Sequence, residues 1–197
     1  MKKLLEKKNV LLVKNYLHNY NSNIKLIELS TTSKTAIDAA NSLKTTVGSI
    51  VKSLIFKDEN DLYYLCLISG DKFVSINKLS FLLNQKIIKA NAEEVKKTTG
   101  FSIGCVPPVA HKNIPKKIFI DLNLKNFEKI YAAAGNPYVV FKTTYLDLIS
   151  ITKAISCDIV DWIREEITRI YDITYHMIIR TTTAPIIHHH FESIIAP

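Results

Sequence analysis

Glycine and proline are scarce in this chain, at five and six residues of 197, yet two of each crowd into TGFSIGCVPP, residues 99–108. A packed helix or a central strand has no use for that run, so a bent, rigid backbone is expected there. Cysteine is scarce too. Cys66, Cys105 and Cys157 are widely spaced with no C-x-x-C pair, which argues against a disulfide framework and suits a reducing, cytoplasmic compartment. No window approaches the roughly 18 consecutive apolar residues that a membrane helix needs. The start MKKLLEKKNVLLVKNYL has the look of a basic leader. However, Lys7, Lys8 and Lys14 leave only Val10–Val13 uninterrupted, too short for the apolar segment of a signal peptide. A cytoplasmic protein without a membrane partner is expected.

Arginine is missing altogether before residue 164. Residues 1–160 carry 23 lysines against 13 acids, whereas residues 161–197 carry three arginines, no lysine and five acids. A body with that excess of lysine is drawn to a polyanion by counterion release, or is simply kept soluble by it. Charge alone leaves both open.

What is present fits a folded domain. Hydrophobic residues make up 47% of the chain and charged residues 22%, enough for a core and too apolar for wholesale disorder. The length suits one domain, residues 1–160, with a C-terminal extension, 161–197. Periodicity predicts helices over 7–19, 35–43 (starting near Ser33 or Lys34), 79–83 and 92–97. It predicts strands over 24–29, 50–56, 87–89 and 117–121. A turn at 58–61 joins strand 50–56 to the next in a hairpin, and strands 129–134 and 138–141 flank Gly135-Asn136-Pro137. Thr144-Tyr-Leu-Asp147 is a capping-box pattern that starts a helix running to about Thr152. The irregular alternation reads as α+β with a mixed sheet. In the extension, Ile159, Val160, Ile163, Ile167, Ile170 and Tyr171 form one helical stripe. His188–His190 read as an exposed tract, since three adjacent side chains do not converge on one metal ion in regular structure.

Several residues invite chemistry. Lys52 shares one face of its strand with Ile50, Leu54 and Phe56, so its amine either snorkels out or is held in a cavity, where burial lowers its pKa. Gly100 and Gly104 permit a bent backbone while Pro107 and Pro108 fix φ. Such a loop can aim the amides of Gly104, Cys105 and Val106 into one anion or carbonyl-oxygen cradle, or can be a plain rigid connection. Ser69-Gly70-Asp71 and Gly135-Asn136-Pro137 read as turns. His111 could orient a ligand or sit on the surface beside Lys112. Cys105 reads better as a packing residue than as a nucleophile, having no sequence-local His–Asp pattern. Asp147 is explained by its capping box.

These signals fall in an order. TAIDAANSLKTTVGSIVKSLIFK, LISGDKFVSINKL, TTGFSIGCVPPVAHK and IYAAAGNPYVVF resemble successive blocks of the YbaK/ProX family, aminoacyl-tRNA deacylases related to the editing domain of bacterial prolyl-tRNA synthetases. The resemblance covers about residues 8–160. It implies a three-layer α+β domain around a mixed, bifurcated sheet flanked by helices, and hydrolysis of the ester between a wrong amino acid and the terminal ribose of tRNA. The family's V-K-S-L lysine matches Lys52, and its G-x-x-x-P loop matches Gly104 to Pro108. Cys105 stands where the family often has a second glycine, and Ala110-His111 where it often has Gly-His.

The resemblance implies a site of Lys52, Gly104, Cys105, Val106 and Pro108, with Ser53, Gly70, His111 and Gly135 lining the substrate pocket. It implies no metal and no organic cofactor. The ribose hydroxyl next to the ester is thought to help activate water in the family, so no protein nucleophile is required. The expected partner is the acceptor end of aminoacyl-tRNA, with prolyl-tRNA synthetase a second candidate, and the expected activity is trans-acting. The rivals are a tRNA- or synthetase-binding module with little catalysis, and a small-molecule ester hydrolase.

Overall fold

Local signals set where each element begins. The computed structural model describes residues 4–21 and 23–161. Helix α1 (Lys8–Tyr20) leads to strand β1 (Leu26–Glu28) and helix α2 (Ala36–Leu43). At the start of α2, Thr35 accepts from the Asp38 amide while Asp38 accepts from the Thr35 amide, so the N-cap is Thr35 rather than Ser33 or Lys34. Strands β2 (Ile50–Asp58) and β3 (Tyr63–Ser69) form the expected hairpin, and a short β4 (Phe73–Val74) precedes helix α3 (Ile76–Leu83). Strand β5 (Ile87–Lys89) and helix α4 (Ala92–Thr99) follow. Asn91 and Glu94 box the start of α4, and left-handed Gly100 ends it. Then come β6 (Lys117–Asp121), β7 (Ile130–Asn136), β8 (Val139–Thr143) and helix α5 (Tyr145–Thr152), capped by Thr144. Two short strands, β9 (Ile155–Cys157) and β10 (Val160–Asp161), close the described chain.

The main sheet has eight strands in the order β1-β8-β7-β2-β3-β6-β9, with β5 also paired to β2. It is mixed: β2–β7, β3–β6 and β6–β9 run parallel and the other pairs antiparallel. The sheet forks at β2. One edge of β2 pairs with β7 at Ile50 and Val51 and with β5 from Phe56 to Asp58, and residues 52–54 between them have no strand neighbour on that side.

Side-chain alternation sorts the two faces. One face of β2, Val51 and Ile55, enters the largest core together with Val10, Val13 and Leu17 of α1, Val95 of α4 and Leu148 of α5. The opposite face carries Phe56, packed with Cys66, Ile68 and Leu79 of α3, and Ile50, packed with Ala39 and Ala40 of α2. Helices α1, α4 and α5 therefore cover one face and α2 and α3 the other, which is the expected three-layer α+β arrangement.

One expectation is overturned. Ile159 and Val160 do not open a helical stripe. Ile159 is fully buried in the α3-side core, and Val160 lies in β10, paired with Val74. An apolar pair with no strict alternation fits either period, and the neighbouring β4 edge decides it. The rest of that stripe and His188–His190 lie outside the described residues. No described helix is long and apolar enough to cross a membrane.

Candidate functional site

Lys52 leaves β2 on the α2–α3 face, at the fork. Its amine donates to the Lys72 carbonyl and lies 4.7 Å from the centroid of the Phe73 ring. Burial lowers its pKa; the Asp71 carboxylate opposes that shift and Lys89 adds to it. Lys52 is thus a half-buried ammonium wrapped by the Gly70–Phe73 turn. Gly70 makes the wrap possible, since a Cβ there would run into the Val47 carbonyl.

The loop after α4 is bent as its composition requires. Gly104 has φ +86° and lies against Lys34, whose carbonyl would be 3.3 Å from an added Cβ. Val106 and Val109 anchor the loop in the main core. His111 is not a loose surface side chain: its Nε2 donates to the Pro107 carbonyl at 2.6 Å, and its ring packs against Phe101. Burial lowers the imidazole pKa against that hydrogen bond. Cys105 turns inward. Its amide and its thiol both donate to the Ser102 carbonyl, at 3.1 and 3.2 Å, and burial raises the thiol pKa. The Cys105 amide is therefore spent inside the loop, contrary to the expected three-amide cradle. No described residue accepts from the amides of Gly104 or Val106.

The two departures from the family pattern differ in kind. Cys105 does not occupy a positive φ, so nothing in the backbone demands glycine there. Ala110 does, at φ +60°, where glycine is the unstrained choice.

Gly135 is a packing glycine more than a liner. It has φ +79°, and an added Cβ would lie 2.9 Å from both the Asn9 carbonyl oxygen and Phe101. The turn it opens nonetheless reaches the site, because both the amide and the hydroxyl of Ser33 donate to the Pro137 carbonyl.

One segment, Ser33–Ala36, ties these pieces together. Ser33 holds the Pro137 turn, Lys34 touches Gly104, and the Ala36 side chain backs Gly70. The amine's direct partners come from the Gly70–Phe73 turn and none from the Gly104 loop, so this segment is the bridge between the two. Sequence reasoning missed it, and the only local trace was the α2 cap. It also missed Asp71. Among the described residues, two buried side-chain oxygens have no hydrogen-bond partner: Asp71 Oδ1, whose carboxylate acts on the Lys52 amine, and Ser53 Oγ, which follows Lys52 on the opposite face of β2. Orphaned buried oxygens are rare in folded proteins, and each calls for a partner. No group of three or more His, Cys, Asp or Glu among the described residues is placed to hold a metal ion.

Comparison with known proteins fits this architecture to a class. A crystal structure of a candidate trans-editing enzyme for prolyl tRNA synthetase superposes with a TM-score of 0.74 at 32% identity, covering 79% of this chain and 99% of that one. The fold is that of a YbaK-like editing domain. A family profile described as an aminoacyl-tRNA editing domain matches residues 31–151, and the chain belongs to that family. The uncharacterized protein YwhH of Bacillus subtilis (strain 168) is 28% identical over 124 residues, 63% of this chain and 78% of the relative. The proline–tRNA ligase of Fervidobacterium nodosum is 38% identical over 98 residues, 48% of this chain and 17% of the ligase. The match to the ligase thus concerns a small part of that enzyme.

Proposed function

We propose that this protein is a trans-acting deacylase that hydrolyses the ester of a mischarged aminoacyl-tRNA, most simply a small amino acid on tRNA(Pro). The observation that carries the reading is that the Gly70 turn, which holds Lys52, and the Gly104 loop both rest on Ser33–Ala36, inside an editing-domain fold. Water adds to the ester carbonyl, its proton leaves, and negative charge gathers on the former carbonyl oxygen. The amides of Gly104 and Val106 and the Lys52 ammonium are the donors available to that oxygen. Collapse breaks the carbon–oxygen bond to the ribose, which takes up a proton, releasing free amino acid and intact tRNA. The orphaned Asp71 Oδ1 is a suitable acceptor for the substrate's α-ammonium. Neither the cysteine nor the histidine is needed as a nucleophile or base, in keeping with a thiol held protonated and an imidazole engaged to Pro107.

A panel of mischarged tRNAs, assayed for release of amino acid under turnover conditions, tests this. Multiple turnovers on at least one substrate are expected, and no release above the buffer rate from any would refute it. One observation favours a second reading, a tRNA- or synthetase-binding module with little catalysis: the Cys105 amide is turned away from any cradle. In that case tRNA binds while the release rate equals that of Lys52→Ala.

A further inference from the structure

A hollow elsewhere on the sheet shares no lining residue with the Gly70 turn or the Gly104 loop. It measures about 300 Å³ and is lined by Asn23, Lys25, Ile27, Lys129, Lys142, Thr143, Thr144 and Asp147. Its three lysines come from three chain segments yet share a face. Lys142 pairs with Tyr131, Lys129 is two residues before Tyr131, and Ile27 pairs with Val140, which puts Lys25 on that face as well. Tyr131 packs with Ile50, so this is also the face from which Lys52 projects.

The lining is net positive. One carboxylate, Asp147, lines the hollow and accepts from the Thr144 hydroxyl at 2.7 Å, so three lysines face one lining acid; among the described residues their one ion pair is Lys129 to Glu128 at 4.0 Å, on the exposed rim. Three exposed ammonium groups against one lining carboxylate, beside two threonine hydroxyls and an amide, make a net positive surface suited to successive phosphates.

The strand register gives the distance to Lys52. Lys142 is level with Tyr131 and so with Ile50, two strands away and two residues short of Lys52. At about 4.8 Å per strand and 3.3 Å per residue, the three lysine Cα atoms fall about 12 to 16 Å from that of Lys52. At about 3.4 Å per stacked step, that is at least about four nucleotides, since α2 packs on Ile50 and Tyr131 between them and a strand must pass around it.

We propose that Lys25, Lys129 and Lys142 form a phosphate-backbone site for the RNA strand whose 3′ end carries the ester, engaging it at least about four nucleotides upstream of the reacting ribose. This rests on the deacylase reading for the identity of the strand. It adds to that reading a specific contact surface, which reads backbone and not base.

The test compares Lys25→Gln/Lys129→Gln/Lys142→Gln with an equal-charge control, Lys86→Gln/Lys97→Gln/Lys116→Gln, both checked for unchanged thermal melting. Binding of an uncharged tRNA(Pro) transcript is followed by fluorescence anisotropy from 50 to 200 mM salt. Loss of three phosphate contacts lowers the slope of log affinity against log salt by about 2 in the groove variant. The control keeps a slope close to wild type. Equal slopes for the two variants overturn the proposal even if the wild type deacylates. A reduced slope in the groove variant alone upholds the phosphate-backbone site even if no substrate is hydrolysed, in which case the deacylase reading falls and with it the link to a reacting ribose.

Discussion

Lys52→Met removes one charge and keeps the stem, so it isolates what the ammonium contributes. In the folded protein that group donates to the Lys72 carbonyl and lies over the Phe73 ring. A hydrogen bond from a charged donor contributes about 1.5–3 kcal/mol, and a cation over an exposed ring adds about 0.5–1 kcal/mol. Part of that is returned, because burial disfavours the charged amine and methionine has no such cost. A net loss of about 1–3 kcal/mol is expected, a fall in melting temperature of about 2–12 °C for a domain of this size. Activity is expected to fall further. Withdrawing one donor from a developing oxyanion costs about 10²–10³ in rate. The assay is release of amino acid from mischarged tRNA well below both melting temperatures, with a urea curve run in parallel. A folded Lys52→Met protein with kcat/KM within about threefold of wild type would refute the assignment and leave Lys52 as a brace for the Gly70–Phe73 turn.

Other outcomes follow from the loop. Cys105→Ala is expected to retain deacylation within a few-fold, whereas a nucleophile would show a loss of about 10³ or more; alkylation of Cys105 by iodoacetamide at pH 7 should be slow, since burial holds the thiol protonated. Ala110→Gly, at φ +60°, is expected to be neutral or to stabilise by up to about 1 kcal/mol in urea, where the same change in a helix destabilises. His111 has its pKa lowered by burial from the ordinary 6.5, so the unfolded chain binds the proton first as pH falls. Stability should therefore drop on acidification through 6.5, levelling off below the lowered value. In His111→Gln that dependence should be weaker between pH 7 and 5, measured as the change in urea midpoint.

Much of this could be read along the chain because the signals are local. Lys117–Asp121 carries three consecutive apolar residues between turn-rich flanks and forms a strand with those bounds. The cap at Thr144 is written in four consecutive residues. Short elements failed for the same reason: β4, β9 and β10 have two or three residues each, too few for a period, and exist because a neighbouring edge pairs with them. The glycine-proline run announced a bend, but not that the Cys105 amide would close on Ser102. That is set by the loop's anchorage through Val106, Val109 and the His111–Pro107 bond.

Composition and order of motifs were enough to determine an α+β domain, a lysine on a strand and a rigid loop, since each depends on residues close together in sequence. Which groups meet was decided only by the folded chain. The fork at β2, the orphaned oxygens of Ser53 and Asp71, the bridge at Ser33–Ala36 and the lysines on the far strands all depend on pairings between distant segments. Such pairings are selected by burying a shared core, and no single stretch of sequence contains both sides of one.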